Sequence, residues 1–136
     1  MPVRFRTLCS GSSGNSVMIH DDETRFLIDC GVKAQYRCRE MLDNHASDSP
    51  PLSAVVVSHL HGDHISYSSL RVIEERGAAV YLHKDNVGEL ARRHYKTWSF
   101  ENLALRTFDD DGGFSIGGFH VTPILVPHAP AMTTHG

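Results

Sequence analysis

Polar and apolar positions alternate at the start of the chain, with Val3, Phe5, Thr7 and Cys9 set against Arg4, Arg6 and Leu8. A two-residue period predicts a strand over residues 3–9. The run Ser10-Gly11-Ser12-Ser13-Gly14-Asn15 breaks it as a turn or loop, and Ser16 to His20 reads as the return strand. A polar turn, Asp21-Asp22-Glu23-Thr24, leads to a third strand over Arg25 to Asp29, whose Phe26-Leu27-Ile28 is continuously apolar. Residues 33–46 then suit a helix, with Tyr36, Cys38, Met41 and Leu42 as its apolar stripe and Arg37, Glu40 and Asp43 outside it.

Asp48-Ser49-Pro50-Pro51 blocks further helix. Leu52 to Val57 reads as a buried strand. Ser66 suits the N-cap of a helix over 67–76, which Gly77 would end. Ala78 to His83 reads as a strand. A helix follows from Lys84 or Asp85 to about Lys96, with Leu90 and Tyr95 at inner positions and Arg92-Arg93-His94 on a solvated face. Strands are expected over 103–108, 114–116 and, after a Gly117-Gly118 turn, over Phe119 to Val126. Strands that alternate with helices predict an α/β fold.

Composition narrows the picture. A chain of 136 residues with 40% hydrophobic residues is the size of one domain, 1–136. A net charge of −3 provides no global field to draw it to nucleic acid. This excludes a purely electrostatic DNA binder, though not an enzyme with a local basic groove. No apolar run approaches the ~20 residues of a membrane span, and the N-terminal residues lack the apolar core of a signal peptide. Three cysteines, Cys9, Cys30 and Cys38, make no disulfide framework; they read as small buried thiols in a reducing, cytoplasmic setting.

The chemistry concentrates in Ser58-His59-Leu60-His61-Gly62-Asp63-His64, directly after the Val-rich strand. Imidazole and carboxylate are ligands that borderline divalent metals prefer. Ligand sites of open α/β sheets gather past the carboxyl ends of strands. Alternate residues of an extended segment point the same way, so His59 and His61 can chelate one ion. Asp63 and His64 lie where the chain turns into a helix and can diverge towards a second. Asp29, after three apolar residues, needs a partner if it is buried. One role for it is to accept a hydrogen bond from a ligating imidazole and fix its tautomer. Ser10, Ser12, Ser13 and Asn15 offer hydroxyls and backbone N–H groups that could hold a phosphate, or form a plain hairpin connection. His128 again follows an apolar strand. His135 receives no role.

His59-x-His61-x-Asp63-His64 resembles the signature of the metallo-β-lactamase superfamily of binuclear hydrolases. Leu8 to Ser16 and Phe26-Leu27-Ile28-Asp29-Cys30-Gly31 resemble its opening. The Ser/Gly run is similar to a branch of small bacterial phosphodiesterase and exonuclease-like proteins. The likeness runs from about residue 4 to residue 128. It implies an αββα sandwich, of which this chain is the first half, truncated at the C-terminus: a mixed sheet with helices packed on one face.

The resemblance also implies a ligand set. His59, His61 and His128 would hold one metal, and Asp63 and His64 the second, with Asp63 also taking a proton and Asp29 orienting the ligands. The bridging aspartate and last histidine of the pattern would lie beyond residue 136. Two divalent ions are expected in the parent protein and one or two in this chain. Zn²⁺, Mn²⁺ and Fe²⁺ all accept such ligands. Ala129 stands where branch relatives often carry an acidic residue.

A bound divalent ion makes hydroxide available at neutral pH. The Ser10–Asn15 loop and the likeness to the phosphodiesterase branch imply the substrate class, so the expected function is metal-dependent hydrolysis of phosphodiester bonds, in nucleic acid or a nucleotide-like substrate. The alternatives are hydrolysis of a thioester, lactone or β-lactam on the same scaffold, or a non-catalytic metal-binding fragment.

Overall fold

The computed structural model describes residues 2–11, 14–44, 50–60, 62, 64–93 and 102–124. Three strands come first: β1 (Arg4–Cys9), β2 (Ser16–His20) and β3 (Arg25–Ile28). Helices and strands then alternate as α1 (Gln35–Asn44), β4 (Leu52–Val56), α2 (Tyr67–Arg76), β5 (Ala79–His83), α3 (Val87–Arg93) and β6 (Ala104–Phe108). A short hairpin of β7 (Phe114–Ile116) and β8 (Phe119–Val121) follows. The six-stranded sheet runs in sequence order, β1 to β6. Its first three strands pair antiparallel, and β3, β4, β5 and β6 pair parallel.

Parallel neighbours require crossovers, and here each crossover carries a helix. Successive crossovers of one hand place their helices on one face of the sheet. The strands accordingly read as two alternating sets. Leu27, Val55, Val80 and Leu82 pack with Cys38, Leu42, Leu70, Ile73 and Leu90 of the helices. Phe26, Ala54 and Val56 face the other way, against Phe108 and Ile116. On that second face Tyr81 stacks on Phe114 at 4.6 Å, and Phe119 meets Phe26 edge-on at 5.2 Å. The β7–β8 turn is seated closely there, since a Cβ at Gly117 would run into Thr24.

The helix α2 shows how local sequence sets its own limits. The Ser66 hydroxyl accepts from Ser69 N–H, and Ser69 Oγ accepts from Ser66 N–H, a reciprocal capping box. Gly77 closes the helix in the left-handed region at φ 70°, its N–H turned back to the last carbonyls.

Three expectations need correction. Tyr36 is 63% exposed rather than part of the α1 stripe. Cys38 and Leu42, one turn apart, set the buried face, and a residue two before Cys38 lies about 200° round the helix. The final strand stops at Val121, not Val126; Pro123 has no N–H to extend the pairing, and residues 125 and 126 lie outside the described ones. The helix after β5 opens as a 3₁₀ turn, Lys84–Asn86, before α3 proper. β1 forms as expected, and only its end is covered: Val3 and Phe5 are exposed, Phe5 at 78%, while Leu8 packs against the core and Cys9 is half-buried. Tyr95 and His94 lie outside the described residues.

Candidate metal centre

The site is built where β3 and β4 end side by side. Parallel pairing brings Ile28 level with Val56, so the residues that follow each strand emerge together. Asp29 N–H donates to Val56 O at 2.8 Å, and Val57 N–H continues onto Tyr81 O of β5. Asp29 then turns into the left-handed region at φ 63°. Aspartate is among the few residues other than glycine that visit this region readily. The turn buries the carboxylate to 5% exposure.

A buried carboxylate requires donors, and three converge on it. Ser58 N–H donates to Oδ1 at 2.7 Å, Ser58 Oγ–H to Oδ2 at 2.5 Å, and His64 Nδ1–H to the same Oδ2 at 2.7 Å. The Ser58 hydroxyl has one proton, and it is engaged in the hydrogen bond donated to the carboxylate. The hydroxyl oxygen therefore accepts from His59 Nδ1–H, 2.9 Å away. The tautomers follow by assignment from this network: both rings carry their proton on Nδ1 and their lone pair on Nε2. The two rings lie 4.4 Å apart between centroids. Ligand atoms of Asp29, His59 and His64 all lie within 4.8 Å of one another. Both oxygens of Asp29 are engaged as acceptors, Oδ2 from His64 directly and from the Ser58 hydroxyl that in turn meets His59.

The site is also fastened from behind. Cys30 N–H donates to His64 O at 2.8 Å, and Gly31 N–H to Asn15 O at 3.1 Å. The second contact joins the Ser/Gly loop to the Asp29 segment. Within that loop the Asn15 side chain closes on Gly11, accepting from its N–H at 3.2 Å and donating to its carbonyl at 2.9 Å. Ser10 is exposed.

A family model described as the metallo-beta-lactamase superfamily matches residues 10–135. The chain belongs to the metallo-β-lactamase superfamily. It is 35% identical, over 66 residues, to an exodeoxyribonuclease YycJ of Bacillus anthracis; that match takes in 48% of this chain and 24% of the relative. Among solved structures it is similar to the metallo-β-lactamase fold protein YhfI of Bacillus subtilis, with a TM-score of 0.74 at 18% identity. That match covers 99% of this chain and 57% of YhfI. It is also similar to Zn²⁺-bound PqqB of Methylobacterium extorquens, with a TM-score of 0.60 at 17% identity, over 90% of this chain and 45% of that one. At such identities the likenesses show the fold. The chain spans well under two thirds of each of these relatives.

In this superfamily chain the structure brings Asp29, His59 and His64 together. His61, Asp63, His128, Ser12 and Ser13 lie outside the described residues. Sequence reasoning missed Ser58. Its position was visible, between the last apolar residue of the strand and the first histidine. Its role was not, because that depends on Asp29, 29 residues earlier. No helix among the described residues is long and apolar enough to cross a membrane.

Proposed function

We propose that this chain carries the amino-terminal part of a metal-dependent hydrolase acting on phosphodiester bonds, in nucleic acid or a nucleotide-like substrate. One observation carries the reading: Asp29 orients His64 directly and His59 through Ser58, which puts the lone pair of both imidazoles on Nε2. A carboxylate behind a ligating histidine is the usual support of a metal site. The donor set, imidazole nitrogen with carboxylate oxygen nearby, fits a divalent ion of the zinc, manganese or iron class.

In this proposal His59, His61 and His128 hold one ion, and Asp63 and His64 hold a second together with ligands from further chain. When bound, the metal lowers the pKa of water towards ~7 and so supplies a nucleophile at neutral pH. The chain's own residues do the rest. Ser58 and Asp29 fix ring orientation, Asp63 takes a proton, and the loop from Ser10 to Asn15 shapes one wall of the cleft. The 35% identity to an exodeoxyribonuclease supports the phosphodiester class over a β-lactam.

The test is hydrolysis of a generic phosphodiester, such as bis(p-nitrophenyl) phosphate, by the full-length protein. Activity that is abolished by chelation and by His61→Ala is expected. Turnover of nitrocefin with none of the phosphodiester would overturn the substrate class. Elemental analysis that finds no divalent metal would overturn the centre itself.

A further inference from the structure

The three cysteines converge beside the site although they lie far apart in sequence. Cys30, at the end of β3, and Cys38, in α1, are both fully buried, and their sulfurs face each other at 3.6 Å. Cys9, at the end of β1, is half-buried; its sulfur lies 3.9 Å from that of Met41. It also lines an open cleft of about 600 Å³ with Val32 and Met41. Burial, and after it a negative charge at Cys38, push the Cys9 thiol up.

We propose that Cys30 and Cys38 form a redox-active dithiol that closes to a disulfide when the protein meets a hydroperoxide. The distance favours it: the sulfurs need only draw in from 3.6 Å to the ~2.0 Å of an S–S bond. The chemistry favours Cys38 as the attacking group. The hydrogen bond from Cys30, and then the guanidinium charges of Arg76 and Arg39, hold its thiol below the usual range. Thiolate character and access together control the rate of oxidation; Cys38 is fully buried, so peroxide reaches it through local opening of the structure. Cys38 sulfur attacks one oxygen of hydrogen peroxide, the O–O bond breaks, and the released hydroxide takes up a proton as water. The resulting sulfenic acid at Cys38 is attacked by Cys30 sulfur; the S–O bond breaks and a second water leaves with the Cys30 proton. Two thiols are oxidised and one peroxide is reduced to two waters.

The position gives the bond a consequence. Cys30 follows Asp29, and its N–H holds His64 O. A disulfide would therefore tether α1 covalently to the segment that presents His64. This chemistry is independent of the hydrolytic reading, because it requires neither metal nor substrate.

The experiment is peroxide treatment of the reduced full chain, alkylation of remaining thiols after unfolding, and peptide mapping by mass spectrometry. The expected result is a Cys30–Cys38 cross-linked peptide lighter by two hydrogens, restored by a thiol reductant. Cys9→Ser should leave the cross-link in place, and that variant changes a half-exposed position with little risk to folding. Alkylation of both Cys30 and Cys38 after peroxide would overturn the proposal. So would a bond from Cys9 to either, or a bond between chains.

Discussion

Replacing Asp29 by asparagine isolates the network under the candidate site. Asparagine keeps the volume and tolerates the left-handed backbone at φ 63°, so strain does not confound the result as it would with alanine. It keeps one acceptor oxygen for Ser58 N–H. On the other side its amide faces the two donors now shared by Oδ2, the Ser58 hydroxyl and His64 Nδ1–H. Two outcomes follow. At least one charge-assisted hydrogen bond is lost, which costs about 1.5–3 kcal/mol of stability. His64 relaxes by moving its proton to Nε2, which removes the lone pair aimed at the metal. Loss of such a supporting partner typically lowers metal affinity ~10–100-fold. Urea unfolding in chelator measures the first effect without any metal contribution, and metal titration measures the second. An unfolding free energy within ~0.5 kcal/mol of the parent at unchanged slope, with metal affinity also unchanged, would refute the orienting role.

Three further outcomes test the fold. Leu70→Ala, at a fully buried position of α2, should cost ~2–5 kcal/mol in urea unfolding, the range for a truncated core leucine. Gly77→Ala meets no steric neighbour, so its loss should be only the ~1–2 kcal/mol of an alanine held in the left-handed region; a larger loss would mean that the cap is packed. Asp21 accepts from Glu23 N–H and Thr24 N–H at 2.8 Å each, and these bonds hold its pKa below the ordinary 3.8. With the folded pKa depressed, its contribution to the β2–β3 turn is present above the ordinary value and is lost as pH falls through the lowered one. An NMR titration of Asp21 at or above 3.8 would contradict that.

Much of this was legible in the sequence wherever the cause is local. Ser66 and Gly77 mark the ends of α2 because a cap acts within its own turn. The apolar runs at Phe26 and Val55 mark interior strands, because both faces of those strands are covered. Legibility fails where the cause is distant. The spacing of Tyr36 allowed it a place on a stripe, but which arc of α1 is buried depends on where α2 packs. Pro123 lies just past the end of β8, but the apolar residues on either side of it give the segment the composition of a strand. At the site, the motif from His59 to His64 announces metal chemistry by composition, whereas the partners of Asp29 stand 29 and 35 residues away.

That separation has a physical consequence for how the site can be assembled. Without Asp29, the imidazoles of His59 and His64 would sample both tautomers. The motif becomes directional only when β3 and β4 pair in register, since a slip of one residue would move Asp29 away from Ser58 N–H and turn its side chain to the other face. The register is fixed by burial of Leu27 and Val55 on the helix side and Phe26 and Val56 on the other. Core packing and ring orientation are thus coupled through two hydrogen bonds from one residue, Ser58. A core substitution that loosened the β3–β4 pairing should therefore weaken metal binding without touching a ligand, and Ser58→Ala should do so without loosening the core.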